Sequence, residues 1–517
     1  MELLDRDGLK LGTDSISYTK VFGYLEAEYG VKVTRASVHE RIWPNHDAFR
    51  EDVLAAAVGQ MPTTLPIDYA AIDSLLDSAE SEKLDTYEAM GRLANQIGNH
   101  LLLETREQPH FEQLLSAKAI AIKTDAAPAE SPLQDRLNRQ SQEFLGTKAR
   151  FPVLMERLGL HPRNGATSEE VVAAIRSSCA LMLVGGHLNY GAGSNDIADP
   201  VSIKIAPGAD SAAWPILSVG LMALFDLFYE PDGQPIASGP LTFPEPEAQE
   251  PAANLGPKSE SSTTRRSREE LKELVLAAGV ELLLQRPIEL RPESLGYSAV
   301  LGHLQEQHDL TVHRSAIHNR IWATSDDFWI EVLTHATGID TDMHSPVVQA
   351  GLDLANSSDL DPVGRQQAAL DALRQLANTH FEIGISSPDY LRRLLIKATL
   401  LRTPPSRDTD ALRAAVNDAD SQRTVRAKAL IEATVDGLGF EVKPNMGLTK
   451  GHAAAIVAEL STAALVGAVF DDLAGVKAAV QSYKFARLDD PSRSDLWTPA
   501  AITMQASFMF LFQLAEQ

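Results

Sequence analysis

The chain has 517 residues, of which 44% are hydrophobic, and it carries a formal net charge of -24 at pH 7. This length predicts at least two domains, and the single cysteine, Cys179, excludes an intrachain disulfide framework and a cysteine-based zinc site. The acidic balance speaks against broad nucleic-acid binding, because that affinity rests on cations that meet phosphates. We expect a cytoplasmic protein with no signal peptide and no membrane span, and we expect Cys179 to be a small buried hydrophobic residue.

The apolar periodicity predicts an all-α fold. Apolar residues recur at three-to-four spacing in segments such as DTYEAMGRLANQIGNHLLLETRE (85–107) and SREELKELVLAAGVELLLQ (267–285), whereas alternating β-branched runs are scarce. The glycine-rich segment 185–196, GGHLNYGAGSND, does not follow a predicted strand, so we interpret it as a loop between helices rather than a phosphate-binding loop.

A long internal repeat is the main organising feature. Residues 18–54 recur without a gap at 297–333, an offset of 279, with 14 of 37 positions identical. The identical residues of the first copy are Tyr18, Val21, Gly23, Leu25, Val33, Arg35, His39, Arg41, Ile42, Trp43, Asp47, Phe49, Val53 and Leu54. Downstream, an offset of 283 relates Trp214 to Trp497 and Phe225 to Phe508. We therefore infer two tandem copies, repeat 1 and repeat 2.

The repeat divides the chain into five predicted segments. A helix-turn-helix part with a truncated first helix occupies 1–60, and a helical regulatory part occupies 61–232. A linker rich in Pro, Gly, Glu and Ser follows over 233–263, because this composition buries too little apolar surface to fold. The second helix-turn-helix part covers 264–338 and the second regulatory part covers 339–517.

Local signals within repeat 1 predict a helix-turn-helix. A helix over about 17–29 ends near Gly30, a second helix begins with Thr34 as N-cap and runs through Ile42 and Trp43, and Asn45 caps a third. In repeat 2, Thr324 takes the capping position of Asn45. We expect Val38, Ile42 and Trp43 of the second helix to face the protein interior.

The remaining face of the second helix can enter a DNA major groove and contact bases and phosphates. The candidate DNA-binding residues are Lys32, Thr34, Arg35, Ser37, His39 and Arg41 in repeat 1, and Thr311, His313, Arg314, Ser315, His318 and Arg320 in repeat 2. The recurring His39 and His318 are interpreted as packing or DNA contacts, since neither has a second metal ligand at helical spacing.

These residues resemble the TetR (tetracycline repressor) family of transcriptional regulators. The similarity lies in GVKVTRASVHERIWPNHDAF (30–49), and in TRRSREELKELVLAAGVELLLQRP (264–287), which resembles the first helix of that family with a basic start. His39 and Trp43 replace the usual tyrosine and phenylalanine, and the common lysine is missing. The resemblance implies an all-helical chain with a small DNA-binding part and a larger part that binds a ligand and dimerises. It adds Arg265 and Arg266 to the candidate DNA contacts.

Two observations limit the expected DNA contacts. Repeat 1 lacks most of the first helix that repeat 2 has, so we expect weaker contacts from repeat 1 or a substitute segment. The 37-residue windows hold five basic and six acidic side chains in repeat 1, and two and five in repeat 2. The competing hypothesis is a degenerate or protein-binding helix-turn-helix in a scaffold or small-molecule sensor. A surface without positive charge around Arg35 and Arg314 would favour that hypothesis.

The last segment of each repeat predicts an intrachain interface. Residues 214–229 and 497–514 are apolar nearly all round, which in a helix indicates burial on more than one side. The family resemblance implies that these helices pair in a four-helix bundle, so that the chain is a covalent pseudo-dimer; further pairing of chains stays open. The predicted interface residues are Trp214, Leu221, Phe225, Phe228, Trp497, Met504, Phe508 and Leu511. The alternative is a methionine and phenylalanine stripe that lines a ligand pocket.

The resulting hypothesis is a ligand-responsive repressor of double-stranded operator DNA. We expect apolar pockets within about 85–190 and 368–470 for an unidentified small molecule. No nucleophile, base and orienting group occur together, so we predict no enzyme activity, and no motif predicts a metal or a cofactor. Two unlike recognition helices predict an imperfect palindrome as the operator.

Overall fold

The computed structural model describes a predominantly helical protein, which confirms the all-α prediction. It describes residues 17–38, 41–60, 69–107, 109–122, 132–143, 151–163, 166–191, 197–204, 211–233, 236, 297–309, 311, 324–337, 361–402, 407–477, 481–487 and 492–515. Apart from Gly233 and Ile236, the predicted linker lies outside these ranges, and so do the candidates His39, Arg265, Arg266, His313, Arg314, Ser315, His318 and Arg320.

The described elements of repeat 1 follow one another from residue 18 to residue 231. They are α1 (Tyr18–Tyr29), α2 (Arg35–Val38), α3 (His46–Gln60), α4 (Tyr69–Ser81), α5 (Thr86–Glu107), α6 (Pro109–Ala121), α7 (Pro132–Glu143), α8 (Phe151–Arg157), β1 (Leu160–Pro162), α9 (Ser168–Gly191), β2 (Pro200–Ile203), β3 (Ala212–Pro215), α10 (Ile216–Phe228) and β4 (Tyr229–Pro231).

The described elements of repeat 2 follow a matching order from residue 297 to residue 514. They are α11 (Tyr297–His308), α12 (Ser325–Thr337), α13 (Pro362–Ser386), α14 (Pro388–Arg402), α15 (Arg407–Leu438), β5 (Phe440–Val442), a 3-10 turn (Pro444–Met446), α16 (Lys450–Leu473), β6 (Tyr483–Ala486), β7 (Ser494–Trp497), α17 (Pro499–Leu511) and β8 (Phe512–Leu514).

The strand pairing repeats between the two halves. In repeat 1, β1 pairs antiparallel with β4 and β2 with β3; in repeat 2, β5 pairs with β8 and β6 with β7 in the same way. Each pair forms a two-stranded sheet. The strands correct one sequence prediction, because Trp214 lies on β3 and Trp497 on β7 rather than on the helices that follow them. Proline stands at the strand-to-helix junction in both repeats, as Pro215 and Pro499.

The predicted end of α1 and the predicted caps at Asn45 and Thr324 are present in the structure. Helix α1 ends at Tyr29, and Gly30 follows with a φ of +64°, a left-handed conformation that glycine adopts without steric cost. The amide of Ala48 donates to the Asn45 side chain at 2.8 Å, and that of Asp327 donates to the Thr324 hydroxyl at 3.1 Å, as the predicted caps require.

Two other predictions need correction. The second helix is described over Arg35–Val38, and Ile42 and Trp43 do not belong to it, although the amide of Ile42 still donates to the Val38 carbonyl at 3.0 Å. Residues 185–191 of the glycine-rich segment belong to α9 instead of a loop.

The two repeats meet through their long apolar helices. Helices α9 and α16 make the most extensive helix contact, and α10 and α17 also pack on each other. The eight predicted interface residues are all buried. However, the ring contacts of Phe225 and Phe508 are to aromatic rings of their own repeat, Phe151 and Phe440 respectively. The sequence therefore predicted the burial of α10 and α17 and their contact with each other, but not the more extensive cross-repeat contact between α9 and α16.

Helices α9 and α16 are long and apolar enough to span a bilayer by length and composition, over Ser168–Tyr190 and Lys450–Leu473. The expectation of no membrane span rested on a different and shorter apolar stretch, 214–229. In the fold, 94% and 83% of the most apolar windows of α9 and α16 are buried inside the protein. Such burial is typical of core helices, whose apolar surface contacts other helices rather than lipid.

A reciprocal pair of glycines sets the crossing of α9 and α16. A Cβ atom on Gly185 would overlap the carbonyl oxygen of Ala463, and one on Gly467 would overlap that of Leu181. Residues 185 and 467 differ by 282, as do residues 181 and 463. Each repeat thus presents the same glycine to the same position of the other, which is the contact pattern of a two-fold interface.

Candidate DNA-binding face and ligand sites

Helices α1 to α3 form a three-helix unit around an aromatic core. The rings of Tyr18 and Phe49 stack with centroids 4.6 Å apart, and Trp43 meets Phe49 edge-on at 4.9 Å. The indole nitrogen of Trp43 donates to Asp52 Oδ2 at 2.8 Å, so its one polar group is satisfied although the side chain is buried. Val38 is also buried, as predicted. This core fixes the short helix α2 between α1 and α3.

Exposed cations lie on α2 and in the segments directly before and after it. Lys32, Thr34, Arg35 and Arg41 are exposed, and Ser37 is partly exposed with its hydroxyl donating to the Thr34 carbonyl at 2.6 Å. Long cationic side chains next to a short helix are able to meet phosphate oxygens and base edges.

The electrostatics of this face are mixed. Burial raises the pKa of Tyr18, and the positive charge of Arg35 acts in the opposite direction, which places Arg35 near the aromatic core. Lys32 Nζ lies 4.0 Å from Glu26 Oε1, an exposed pair that contributes little to stability. Among the described residues of this face, the positive charge of Lys32 is therefore partly offset by Glu26. In repeat 2, the described candidate is Thr311, which is exposed and donates its hydroxyl to Gln305.

The three-helix unit contacts the body of repeat 1 through α3, which packs on α6 and α7. Arg50 of α3 donates to the Ile120 carbonyl at the end of α6, at 3.4 Å. Lys118 lies on the same helix, and its Nζ is 2.7 Å from Asp471 Oδ1 on α16 of repeat 2. Side chains thus connect α3 to the cross-repeat interface through the last turn of α6.

Repeat 2 contains a small internal pocket of about 50 Å³ within the range predicted for a ligand. Residues of helices α13 to α17 line it, and the lining is mostly apolar, with polar groups from His380, Arg423, Ser461 and Thr462. The Arg423 guanidinium lies 5.1 Å from the Tyr390 ring centroid and 3.7 Å from Asp420 Oδ1. Burial raises the pKa of Tyr390, so its hydroxyl is a neutral wall group.

A larger cleft of about 860 Å³ lies between the repeats and was not anticipated from the sequence. Sequence patterns describe one chain segment at a time, and this cleft combines α9 and α10 of repeat 1 with α13, α17 and the β6–β7 hairpin of repeat 2. The ion pair of Lys118 was also missed, although a signal existed. Lys118 and Lys397 interrupt apolar helices at the offset of 279 that defines the repeat.

Among the described residues, no three His, Cys, Asp or Glu side chains converge as metal ligands. Cys179 is buried, and burial raises the pKa of its thiol to about 12, so it stays protonated and unreactive at neutral pH. Comparisons with protein-family models, with curated proteins and with solved structures found no match.

Proposed function

We propose that this protein is a ligand-responsive transcriptional regulator, in which one chain supplies both halves of a pseudo-dimer that binds double-stranded operator DNA. The exposed cations on and beside α2, namely Arg35 on the helix with Lys32 before it and Arg41 after it, carry this proposal together with the aromatic core beneath. The resemblance of the same residues to the TetR family supports it, and so does the reciprocal packing of α9 on α16. In this proposal the protein is cytoplasmic and binds no membrane. It catalyses no reaction and requires no cofactor.

The regulatory step follows from the contacts between α3 and the body. A ligand shifts an equilibrium only as far as its affinity for two conformations differs. A ligand that displaces α6 acts on Arg50 through the Ile120 carbonyl, and so changes the position of α2 relative to the second half of the chain. Loss of the spacing between the two recognition helices, about 34 Å for one turn of duplex, releases the operator.

Fluorescence anisotropy of the full chain tests the DNA-binding part of the proposal. The probe is labelled duplex from the intergenic region upstream of the coding sequence, with a random duplex of the same length for comparison. We expect nanomolar affinity for the upstream duplex and at least about tenfold weaker binding to random duplex at the same salt concentration. Arg35→Ala removes a charged contact and lowers the operator affinity by roughly 1–3 kcal/mol, which is about 5- to 150-fold.

Lys450→Ala provides the matched control, because Lys450 is an exposed cation at the start of α16, far along the chain from the three-helix unit. It should bind like the unmodified chain. Equal affinity for upstream and random duplex would reject the regulator proposal in favour of the scaffold or sensor. An equal loss in both variants would assign the binding to overall charge rather than to α2.

A further inference from the structure

The internal pocket of repeat 2 combines a cation with mostly apolar walls. Arg423 of α15 lines it, whereas no Asp or Glu of the described residues does. Leu376, Ile431 and Met504 are among the apolar residues of its lining. Because a guanidinium stays charged at every physiological pH, the pocket holds a permanent positive charge in a largely apolar environment.

The fold compensates the charge of Arg423 only in part. The side chain of Arg423 is 13% exposed, and its Nη1 lies 3.7 Å from Asp420 Oδ1, beyond hydrogen-bond distance. The other carboxylate oxygen of Asp420 lies 2.5 Å from Lys397 Nζ, so one carboxylate serves two cations. Among the described residues, the Arg423 guanidinium has no hydrogen-bond acceptor. A largely buried charge in this state is costly, and an anion in the pocket would lower that cost.

Tyr390 of α14 places a second donor beside this cation. Its ring centroid lies 5.1 Å from the Arg423 guanidinium, and burial raises the pKa of its hydroxyl, which therefore keeps its proton. No described residue is hydrogen-bonded to that hydroxyl, although Tyr390 is only 6% exposed. Neither group is sealed from a water-sized molecule, whereas the hydroxyl of Ser461, another lining residue, is sealed. A ligand in the pocket can therefore reach both donors.

The volume of the pocket restricts the size of the ligand. The pocket measures about 50 Å³, and one water molecule needs roughly 10–15 Å³ by the same measure, so about three to five non-hydrogen atoms fit. Acetate and propionate are of this size. Phosphate and sulfate are too, but the apolar walls would leave most of their oxygens without donors. Size and lining together favour a short-chain carboxylate.

Repeat 1 does not reproduce the polar groups of this pocket. Tyr390 corresponds to Phe111 at the offset of 279, and Thr462 corresponds to Ala180 at the offset of 282 that relates Gly185 to Gly467. Neither Phe111 nor Ala180 has a hydroxyl group. The expected number of sites is therefore one per chain.

We propose that the internal pocket of repeat 2 binds one short-chain monocarboxylate per chain, with propionate as its model ligand. The carboxylate accepts hydrogen bonds from Arg423 and Tyr390, and the alkyl group contacts Leu376, Ile431 and Met504. The role of this ligand as an effector rests on the proposed function. Tyr390 lies in the first turn of α14, and α14 packs on α12 of the second helix-turn-helix part, so a ligand held by Tyr390 can act on that part.

Equilibrium dialysis of the full chain against radiolabelled propionate or propionamide tests the site. Propionamide has the same shape as propionate without the charge, and no DNA is present. We expect one propionate per chain at saturation and about tenfold weaker binding of propionamide, because hydrogen bonds to a charged group are roughly twice as strong as neutral ones. In Arg423→Met this preference should fall below about twofold.

Tyr390→Phe provides a second variant that keeps the cation. Repeat 1 accommodates phenylalanine at the equivalent position, Phe111, so this variant should fold. Loss of the hydroxyl should weaken propionate binding about fivefold, as removal of one net hydrogen bond implies. Circular dichroism confirms the fold of each variant.

Arg426→Met is the matched control, because Arg426 is an exposed cation of the same helix and does not line the pocket. It should keep the tenfold preference for propionate. Three outcomes would each overturn the proposal: no saturable propionate binding, equal affinities for the two probes, or unchanged propionate binding in both Arg423→Met and Tyr390→Phe. Propionate binding in a chain that shows no operator binding would support this site and reject only the regulator.

Discussion

Lys118 of repeat 1 and Asp471 of repeat 2 form a buried ion pair, with Nζ and Oδ1 2.7 Å apart and side chains 5% and 3% exposed. The equivalent contact in the other direction joins Lys397 to Asn189, also at 2.7 Å. Positions 118 and 397 differ by 279, and positions 189 and 471 differ by 282. Lys397 obtains its counter-charge within repeat 2, from Asp420 at 2.5 Å. One cross-repeat contact is thus an ion pair and the other a lysine–amide hydrogen bond.

Removal of one partner of the Lys118–Asp471 ion pair should strongly destabilise the fold. Asp471→Asn leaves the Lys118 ammonium buried without a carboxylate, at a cost of about 3–5 kcal/mol in the free energy of unfolding. Urea denaturation followed by circular dichroism measures the change. The double variant Lys118→Met with Asp471→Leu should recover most of that loss, because two apolar side chains of similar size remove both charges at once.

Removal of the neutral acceptor at the other contact is the matched control. Asn189→Ala takes away only the amide beside Lys397, which keeps Asp420 as its counter-ion, so no buried charge loses its partner. It should cost less than Asp471→Asn. Equal destabilisation by the two substitutions would show that helix packing, rather than charge compensation, determines the stability at these positions.

The close crossing of α9 and α16 should not tolerate a methyl group. Gly185→Ala places Cβ against the backbone oxygen of Ala463, which no side-chain rotation can relieve. We expect a loss of about 1–3 kcal/mol in unfolding free energy, with a similar loss for Gly467→Ala. Thermal unfolding by calorimetry checks both variants. A loss limited to one of the glycines would contradict a reciprocal interface.

Gly23→Ala is the control for glycine substitution. Gly23 lies within α1, and a methyl group placed on it would have no neighbouring atom within 4 Å among the described residues. Alanine in a helix interior is favoured over glycine by roughly 0.5–1 kcal/mol, so this variant should be slightly more stable. Destabilisation here would mean that α1 is covered by a segment outside the described residues.

Asp226 on α10 should make stability depend on pH. Burial raises its pKa above the ordinary 3.8, while Lys443, Arg163 and a hydrogen bond from Tyr87 act in the opposite direction. The folded state therefore holds the proton more tightly than the unfolded state. Stability from this group is present below the ordinary carboxyl pKa and is lost as the pH rises through the folded-state pKa.

The comparison that isolates this effect is the unmodified chain against Asp226→Asn. As the pH rises above 3.8, the unmodified chain should become less stable relative to Asp226→Asn. The change in the difference of unfolding free energies is at most about 1.4 kcal/mol per pH unit for one proton. Urea denaturation at several pH values from about 4 to about 7 measures the difference. A constant difference across that range would refute the linkage.

The exposed cations near α2 should determine the salt dependence of DNA binding. Each phosphate that a cation neutralises contributes about 0.9 to the slope of log affinity against log salt. Lys32→Ala and Arg41→Ala should each reduce this slope by about 0.9, and each should weaken binding to all duplexes alike. Anisotropy titrations over a salt series give the slopes. Unchanged slopes in both variants would place the DNA contacts elsewhere in the chain.

Local sequence signals predicted much of the helical framework. Gly30 ends α1, Asn45 and Thr324 cap the following helices, and the apolar segments after Trp214 and Trp497 are buried. These features depend on nearest neighbours along the chain, namely backbone conformation, first-turn amides and side-chain hydrophobicity. The structure places Lys32, Arg35 and Arg41 at exposed positions, whereas their contact with DNA stays a prediction.

The sequence by itself determined that the chain is all-α and carries one unit twice, because helical periodicity and identity at a constant offset need no knowledge of tertiary contacts. Only the tertiary structure decided that α9 and α16 are the central cross-repeat pair, that Gly185 lies in a helix, and that Lys118 has its counter-ion in the other repeat. The reason is physical: partners such as Lys118 and Asp471 are 353 residues apart, and their pairing depends on how complete helices pack.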